Sequence, residues 1–432
     1  MSDLLFVPGP IFPRPPDHPL RGFLSEEMHV RKLPPLTSPA RIVQYVMQGG
    51  ANNVAQGAAH VGRLMAHHGL PSCEVGRFSV CRLGEFDFVF EAHSEFCAYI
   101  LIAPGRADPL TVDELAAIFP PGWLADMPGQ VVQATQIAYL AQTTPDPGQA
   151  ELDSYFQAPN LVACDLADGK ARLWSDFDLH EDGFGRLIVA DRGLQGQEAS
   201  DLVQRLLEQG HYRNMALLGL PEAQRLTPEV TRLEQRLADL ITAIAEPRQE
   251  DDDTLLQEIS GLSAELARLV AATRYRMSAS RAYAQLSNDR LRSIDVRRIS
   301  GYQSLADFTE RRLMPATRTC DSFSNRLEEL SQRTAWTSSL LRTRVNTALE
   351  QQNRNLLHSM NQRAEAQLRL QHTVEGLSAV AISYYAVGLI GHAAQGIHEL
   401  LPSFPAEAIG GLSVVPVIIV IWFALQRIRR RL

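Results

Sequence analysis

Two acidic residues and a histidine alternate along one short segment of the chain. Glu91, His93 and Glu95 stand at positions i, i+2 and i+4 of a segment that reads as a β-strand, so we expect their side chains on one face. Two carboxylates and an imidazole that converge are suited to binding a divalent metal ion or to acid–base chemistry. The alternative is that a half-buried strand shows its polar face to water.

A second Glu-x-His pair, Glu27 and His29, lies upstream and has the spacing to complete such a site. No cofactor is expected apart from a divalent metal ion at these residues. The sequence has no nucleophile elbow, no phosphate-binding P-loop, no Gly-x-Gly-x-x-Gly fingerprint and no His-Glu-x-x-His motif. Because these arrangements mark the common hydrolytic, nucleotide-binding and zinc chemistries, the sequence indicates that the protein is not an enzyme.

Two uncharged apolar runs lie near the C-terminal end. Residues 376–397, GLSAVAISYYAVGLIGHAAQGI, and residues 408–425, AIGGLSVVPVIIVIWFAL, contain no Asp, Glu, Lys or Arg. A helix rises about 1.5 Å per residue, so both runs are long enough to cross a hydrocarbon core of about 30 Å. The alternative is a pair of buried core helices in a soluble protein. The two runs together predict a transmembrane helical hairpin over residues 376–432, with the lipid bilayer as its partner.

The flanking charges give this hairpin an orientation. The segment between the runs has no Lys or Arg, whereas Arg427 and residues 429–431 form a basic tail. Positive charge favours the cytoplasmic side, so we expect both termini in the cytoplasm and a multi-pass protein of the bacterial inner membrane. Ionisable groups in membrane segments are functional candidates. In and beside this hairpin they are His392, His398, Glu399 and Glu407.

A long helical region precedes the apolar runs. Residues 316–375 contain neither Gly nor Pro, which predicts one stalk helix of roughly 90 Å that continues into the first membrane helix. Upstream, residues 227–245 and 254–297 read as two more helices, and Gly301 and Pro315 bracket a short one. We therefore expect a helical bundle over residues 222–375. A narrow apolar stripe suits packing against other helices, although polar residues interrupt any strict coiled-coil heptad; its members are Leu327, Leu330, Leu341, Val345, Leu349, Leu356, Met360, Ala364 and Leu368.

Strand signals dominate the chain between residues 77 and 194. Seven segments rich in Val, Ile, Phe and Tyr are separated by turns such as Asp168-Gly169 and Asp182-Gly183. Helices are predicted over residues 39–68, 111–119 and 197–218. The fold class that follows is α+β, with an antiparallel sheet in a cytoplasmic domain of residues 1–221, then the bundle, then two transmembrane helices.

The composition of the chain limits the kinds of molecule that are expected as partners. The net charge is −8 and the lysines are Lys32 and Lys170 alone. The many arginines are interspersed with Asp and Glu, which argues against nucleic-acid binding. Five cysteines without a Cys-x-x-Cys pair indicate reduced thiols in a cytosolic compartment and no structural zinc. The N-terminal stretch lacks the basic start and unbroken apolar core of a secretory signal. Its partners are expected to be further copies of the chain, while other protein partners are not specified.

Four segments resemble a bacterial family of uncharacterised membrane-anchored proteins of unknown function. They are HPLRGFLSEEMHVRKLPPL, FEAHSEF, LVQRLLEQGHYRNMALLGLP and the run from TRVNTALEQQNRN to SYYAVGLIGH. The resemblance covers almost the whole chain, and it implies a membrane location with no established activity.

The layout is also similar to that of CorA-type divalent cation channels. Those channels carry Gly-Met-Asn at the outer end of the first membrane helix, where this sequence has Gly391-His392 and then Gln395-Gly396-Ile397. Three hypotheses therefore stand. The chain is a membrane-anchored protein whose body oligomerises or binds partners, a CorA-like cation transporter, or a metal-dependent enzyme that uses Glu91, His93 and Glu95.

Overall fold

The strand-forming segments pair into one nine-stranded sheet in the computed structural model, which describes residues 17–28, 31–50, 52–70, 75–156, 161–245, 252–400 and 405–429. Long helices follow the sheet, so the α+β class is confirmed. The strands are β1 Ala40–Gln48, β2 Phe78–Leu83, β3 Phe86–Ala92, β4 Phe96–Pro104, β5 Gln130–Leu140, β6 Val162–Leu166, β7 Ala171–Ser175, β8 Gly185–Asp191 and β9 Arg297–Arg298.

Nine α-helices are described, and the longest has 96 residues. They are α1 Arg21–Glu27, α2 Asn53–His67, α3 Val112–Ile118, α4 Gln149–Tyr155, α5 Gly196–Leu217, α6 Gly219–Ala245, α7 Asp252–Ser293, α8 Leu305–Leu400 and α9 Ala406–Arg429. Local signals explain the starts of several. Before α3, Thr111 Oγ1 accepts a hydrogen bond from the Glu114 amide, and Glu114 accepts one from the Thr111 amide in return. This capping box satisfies two amides that the helix itself leaves unpaired.

The strands lie in the order β2-β3-β4-β1-β5-β8-β7-β6-β9. Neighbouring strands are antiparallel, as predicted, except that β5 and β8 run parallel, so the sheet is mixed. The parallel pair arises because β6 and β7 intervene in the chain between β5 and β8. The central strands β1 and β5 therefore join a β2-β3-β4 half to a β6-β7-β8 half.

Both faces of the sheet are covered by helices. Ile42, Ile100, Ile137 and Val189 face one way and pack with Leu202 and other residues of α5. Alternate residues of the same strands pack with α2 and α3 in one cluster and with α4 in another. Strand β4 is consequently buried along nearly its whole length. Helices α2, α3 and α4 cover one face of the sheet and α5 covers the other.

The predicted helix over residues 39–68 is wrong in its first half. Residues 40–48 form β1, which pairs with both β4 and β5, and only residues 53–67 are helical. The segment Arg-Ile-Val-Gln-Tyr-Val alternates and is rich in β-branched side chains, which favour a strand.

Helices α6, α7 and the first part of α8 pack together, as a bundle requires. Their buried side chains follow helical spacing, including Leu233, Leu266 and Leu327. Ion pairs cross between them: Arg236 Nη1 lies 2.8 Å from Glu265 Oε1 and Arg326 Nη2 lies 2.7 Å from Glu234 Oε2. The prediction that Pro315 ends a short helix is wrong, since α8 continues through it. Pro315 is past the first turn of α8, so it removes one backbone hydrogen bond there without ending the helix.

The described chain divides into two compact units that differ from the predicted boundaries at residues 221 and 375. One contains the chain up to Ala243 together with Ile259–Ala335, and the other contains Ile244–Glu258 with Trp336–Leu432. The first unit takes in most of the predicted bundle because Ile294 and Leu305 belong to the core under α5. In the second, Arg344 donates to the Ile244 carbonyl oxygen at 2.7 Å and pairs with Asp252 Oδ1 at 3.2 Å.

Candidate functional site

The predicted Glu91, His93 and Glu95 face is divided between a strand and a turn. Strand β3 ends at Ala92, the chain turns over residues 93–95, and β4 begins at Phe96. The His93 amide donates to the Phe96 carbonyl oxygen at 2.8 Å, which closes the hairpin. The expectation of one continuous strand through Glu95 is therefore wrong, because the polar residues form a tight β3–β4 connection.

Glu91 and His93 nevertheless remain together. His93 Nε2 lies 3.4 Å from Glu91 Oε1, and both side chains are largely buried. Burial alone would raise the pKa of Glu91, but the hydrogen bond and charge of His93, with the charges of Arg31 and Arg290, outweigh it and lower the pKa. Glu91 is thus held as a carboxylate inside the protein.

Glu95 turns to a different partner. It forms an ion pair with Arg276 of α7, and both side chains are mostly buried. This pair fastens the β3–β4 connection to a helix nearly two hundred residues later in the chain. A guanidinium occupies the carboxylate that the metal hypothesis assigned as a ligand.

His211 of α5 completes the cluster, and the sequence analysis missed it. Its ring lies 5.5 Å from the ring of His93 and 5.0 Å from that of Phe96, and neither ring nitrogen has a hydrogen-bond partner among the residues that the structure describes. Burial lowers the pKa of His211 well below its ordinary value, and the charges of His93 and Arg290 add to the effect. His211 is therefore neutral inside the protein. In the sequence, the one indication of its role is that His211 shares the inward face of an amphipathic helix with Glu208 and Tyr212.

Further polar residues extend the cluster along α5. Glu208 is paired with Arg290 of α7, and Gln204 donates to Glu208 Oε1 at 2.9 Å. Gln204 also donates to the Arg31 carbonyl oxygen at 2.9 Å and accepts from the Leu33 amide at 3.2 Å. The result is a buried polar layer that joins the N-terminal arm, the β3–β4 connection and α7 to α5.

Metal coordination finds no support in this layer. Within the part of the chain that the structure describes, no three His, Cys, Asp or Glu side chains come together as ligands would. The side chain of Glu27, all of His29, and the side chains of His398 and Glu399 lie outside the described residues. His392 and Glu407 are exposed, on α8 and α9 respectively. The predicted five-residue site therefore remains a prediction. Among its members, Glu91, His93 and Glu95 do not converge as metal ligands would.

A cavity of about 400 Å³ lies between α5 and the sheet. Arg213 lines it, with its guanidinium 4.8 Å from the ring centre of Phe177 and 5.8 Å from that of Phe308. Arg213 Nη1 has no acceptor among the described residues. Burial lowers the pKa of Arg213 to about 10, so the guanidinium keeps its charge at neutral pH.

The apolar C-terminal helices are the other candidate feature. Two helices, α8 toward its end and α9, are long and apolar enough to cross a membrane. Their large apolar side chains are exposed, including Leu377, Leu389, Leu412 and Val415. A water-soluble protein rarely exposes so much contiguous apolar surface. Pro416 lies within α9 without ending it, as membrane helices allow.

Comparisons with known proteins give one strong match. The family model described as "Protein of unknown function (DUF3422)" matches residues 16–432. No curated protein matches the chain. A solved structure, that of the full-length CmaX protein, shares 12% sequence identity over 69% of this chain and 89% of its own, with a TM-score of 0.19. A TM-score that low carries no inference about fold or activity.

Proposed function

Because the chain belongs to the DUF3422 family, whose description assigns no activity, we propose a function from the structure itself: a membrane-anchored protein of the bacterial inner membrane. Residues 376–397 and 408–425 cross the bilayer, and the folded body before them lies in the cytoplasm. The proposal gives the body no enzymatic activity, no cofactor and no nucleic-acid partner. Its role is to hold a binding or oligomerising body at the membrane.

The exposure of α9 and the end of α8 supports this proposal most directly. The apolar window of α9 has no residue buried against the rest of the protein, and that of α8 is 11% buried. Core helices of a soluble protein would be covered by the chain itself. A bilayer supplies the missing cover, since about 20 apolar helical residues match its hydrocarbon thickness.

Membrane fractionation tests the anchor. The full chain should sediment with membranes and resist extraction at high salt and high pH, whereas a chain that lacks residues 376–432 should not. Insertion is refuted if alkaline carbonate releases the full chain. A cysteine at Glu407 tests the orientation, because a membrane-impermeant thiol reagent should label it from outside intact inner-membrane spheroplasts. Labelling only after the membrane is opened would place this segment inside and reverse the topology.

We further propose that α8 packs against α8 of a second copy. Every residue from 349 to 378 is exposed, and the exposed side chains include Leu349, Leu356, Met360 and Leu370. A helix with an unpaired apolar stripe gains stability from a partner helix. Copies inserted in the same direction present this segment parallel and in register, which favours another α8 as the partner.

The mass of the full-length protein in detergent, measured by light scattering, tests this contact. We expect more than one copy per particle, and a shift toward one copy when Leu356 and Met360 are both replaced by Lys. Asn355→Lys with Gln362→Lys adds the same charge in the same turns and is the matched control. A monomeric wild-type protein, or equal dissociation by both pairs, would refute the contact.

A CorA-like transporter is the second candidate. The observation in its favour is that α8 continues without a break from the folded body into the first apolar segment, and a second apolar helix and a basic tail follow. The missing Gly-Met-Asn motif speaks against magnesium selectivity. Uptake of Mg²⁺ into liposomes that contain the purified protein is the direct assay, and uptake no faster than into empty liposomes would exclude this function.

A further inference from the structure

A second, smaller cavity lies on the opposite face of the sheet, between β1 and α3. Its volume is about 110 Å³, somewhat less than that of an engineered cavity known to hold benzene. Aromatic and aliphatic side chains form most of its wall. Those that the proposal uses are Val43, Phe88, Leu115, Phe119, Trp123 and Phe184.

Arg41 is the exception in this wall. It projects from β1 into the interior, with 2% of its surface exposed, and it is among the largest fully buried side chains of the described chain. Burying a guanidinium removes its hydration, which costs several kcal/mol unless a negative charge replaces the water. The question for Arg41 is therefore which group compensates its buried charge.

The groups around Arg41 are neutral. Nη1 donates to the Ala107 carbonyl oxygen at 3.2 Å and to the Tyr155 hydroxyl at 3.1 Å, and Nη2 donates to Gln136 Oε1. Nε is buried and has no acceptor in the described structure. No carboxylate of the described residues forms an ion pair with Arg41. Asp182, in the loop before β8, is instead paired with Arg186 at 2.9 Å.

The N–H groups of Arg41 that no acceptor among the described residues uses determine which class of ligand the cavity would bind. A guanidinium offers donors from Nε and Nη2 along one edge, and a carboxylate accepts two parallel hydrogen bonds from that edge. The apolar wall requires an apolar body attached to that carboxylate. A free phosphate has no apolar part that could pack against the aromatic wall, and an uncharged apolar molecule would not compensate the charge of Arg41.

We propose that this cavity binds a small carboxylic acid with a compact apolar body smaller than benzene, such as a short branched-chain acid, whose carboxylate pairs with Arg41. The proposal is independent of the membrane anchor and goes beyond it, because it gives the folded body a ligand.

Calorimetric titration of the full-length protein in detergent tests the proposal, with 3-methylbutanoate and 2-methylpropanoate as probes. We expect both to bind and to raise the unfolding temperature. 3-Methylbutanamide has the body of the first probe without the charge, and inorganic phosphate has a charge without the body, so neither should bind measurably. Decanoate is too long for the cavity and should also fail. Equal binding of 3-methylbutanamide, or binding of phosphate alone, would overturn the assignment.

Two variants locate the site. Arg41→Met removes the charge, and Val43→Phe fills the cavity from the same face of β1 while leaving Arg41 in place. Each should weaken binding by about a hundredfold or more, since each removes a charge-assisted contact or the space for the ligand. Arg213→Met, in the larger cavity beside α5, is the matched control and should bind as the wild type does. If Arg41→Met fails to fold, Val43→Phe decides alone. Undiminished binding to a folded Val43→Phe protein, or loss with Arg213→Met, would refute this location.

Discussion

Gly410 in α9 lies close to Gly391 in α8: a Cβ placed on Gly410 would be in van der Waals contact with Gly391 Cα, at 3.9 Å. Close backbone approach at small residues is typical of helix pairs in membranes.

A cysteine pair at these two positions should cross-link. The two Cα atoms lie within about 5.5 Å of each other, inside the range that a disulfide bridges. We expect Gly391→Cys with Gly410→Cys to form a disulfide under mild oxidation in native membranes, detected by mass spectrometry of proteolytic fragments. Gly388→Cys with Gly411→Cys is the control, because a Cβ on either of these glycines would meet no atom of the other helix within 4 Å, whereas one on Gly410 lies 3.9 Å from Gly391 Cα. Equal cross-linking of both pairs would contradict the packing.

Breaking the Glu95–Arg276 ion pair should destabilise the folded body. Their side chains are 7% and 14% exposed, so Arg276→Met leaves a buried carboxylate without its counter-charge, at a cost of about 3–5 kcal/mol. Replacing both residues with apolar ones should restore much of the loss. Arg281→Met removes a pair that is 50% and 40% exposed and should cost under about 1 kcal/mol. Chemical denaturation of the full-length protein in detergent measures the loss of stability in Arg276→Met and in Arg281→Met. Similar losses would contradict the larger contribution expected of the buried pair.

Acid should weaken the fold through His211. The folded pKa of this imidazole is lower than the value of 6.5 that it has when unfolded, so between the two values the unfolded chain binds more protons. Its contribution to stability is complete above about pH 6.5 and is lost as the pH falls, by up to about 1.4 kcal/mol per unit. The lowered pKa of Glu91 acts the same way, but only below the ordinary carboxyl value of 4.5.

Unfolding measured at pH 7 and pH 5.5 separates these two groups. His211→Gln should reduce the dependence in this interval, although it lowers stability overall; the part that remains comes from His60, whose pKa burial also lowers. His67→Gln, at an exposed position of α2, should retain the wild-type slope. An unchanged slope in the His211 variant would show that another group carries the effect.

Two glycines of α2 should respond in opposite directions to alanine. A Cβ on Gly57 would lie 2.9 Å from the Tyr99 hydroxyl oxygen and 3.0 Å from Cys97 Sγ, whereas one on Gly62 would meet nothing within 4 Å. Gly57→Ala should therefore cost about 1–3 kcal/mol by overpacking, and Gly62→Ala should stabilise by up to about 1 kcal/mol through helix propensity. Thermal unfolding measures both, and the same sign for both would be inconsistent with the tight contact.

The seven strand segments between residues 77 and 194 were predictable because each is bounded by turn residues and rich in β-formers. Asp168 and Gly169 both take positive φ between β6 and β7, as the Asp-Gly signal indicated. Strand β1 was mispredicted as a helix although its β-branched side chains favour a strand, and the strands that pair with it, β4 and β5, lie far along the chain.

The chemistry was less predictable than the fold. The spacing of Glu91, His93 and Glu95 carried no information about Arg276 or His211, which arrive from distant helices and divide the three residues. Arg41 also gave no signal, since an arginine in an alternating segment is ordinarily an exposed residue. Its burial depends on Tyr155 and Ala107, which the sequence does not bring near it.

Strand β9 ends one side of the sheet with two residues, Arg297 and Arg298, both exposed and both engaged in ion pairs, with Asp168 and Asp307. So short and charged an edge offers few free backbone groups for a strand from another molecule. This margin of the sheet is thereby protected against edge-to-edge aggregation. Copies crowded together on a bilayer would then meet through their helices without their sheets fusing there.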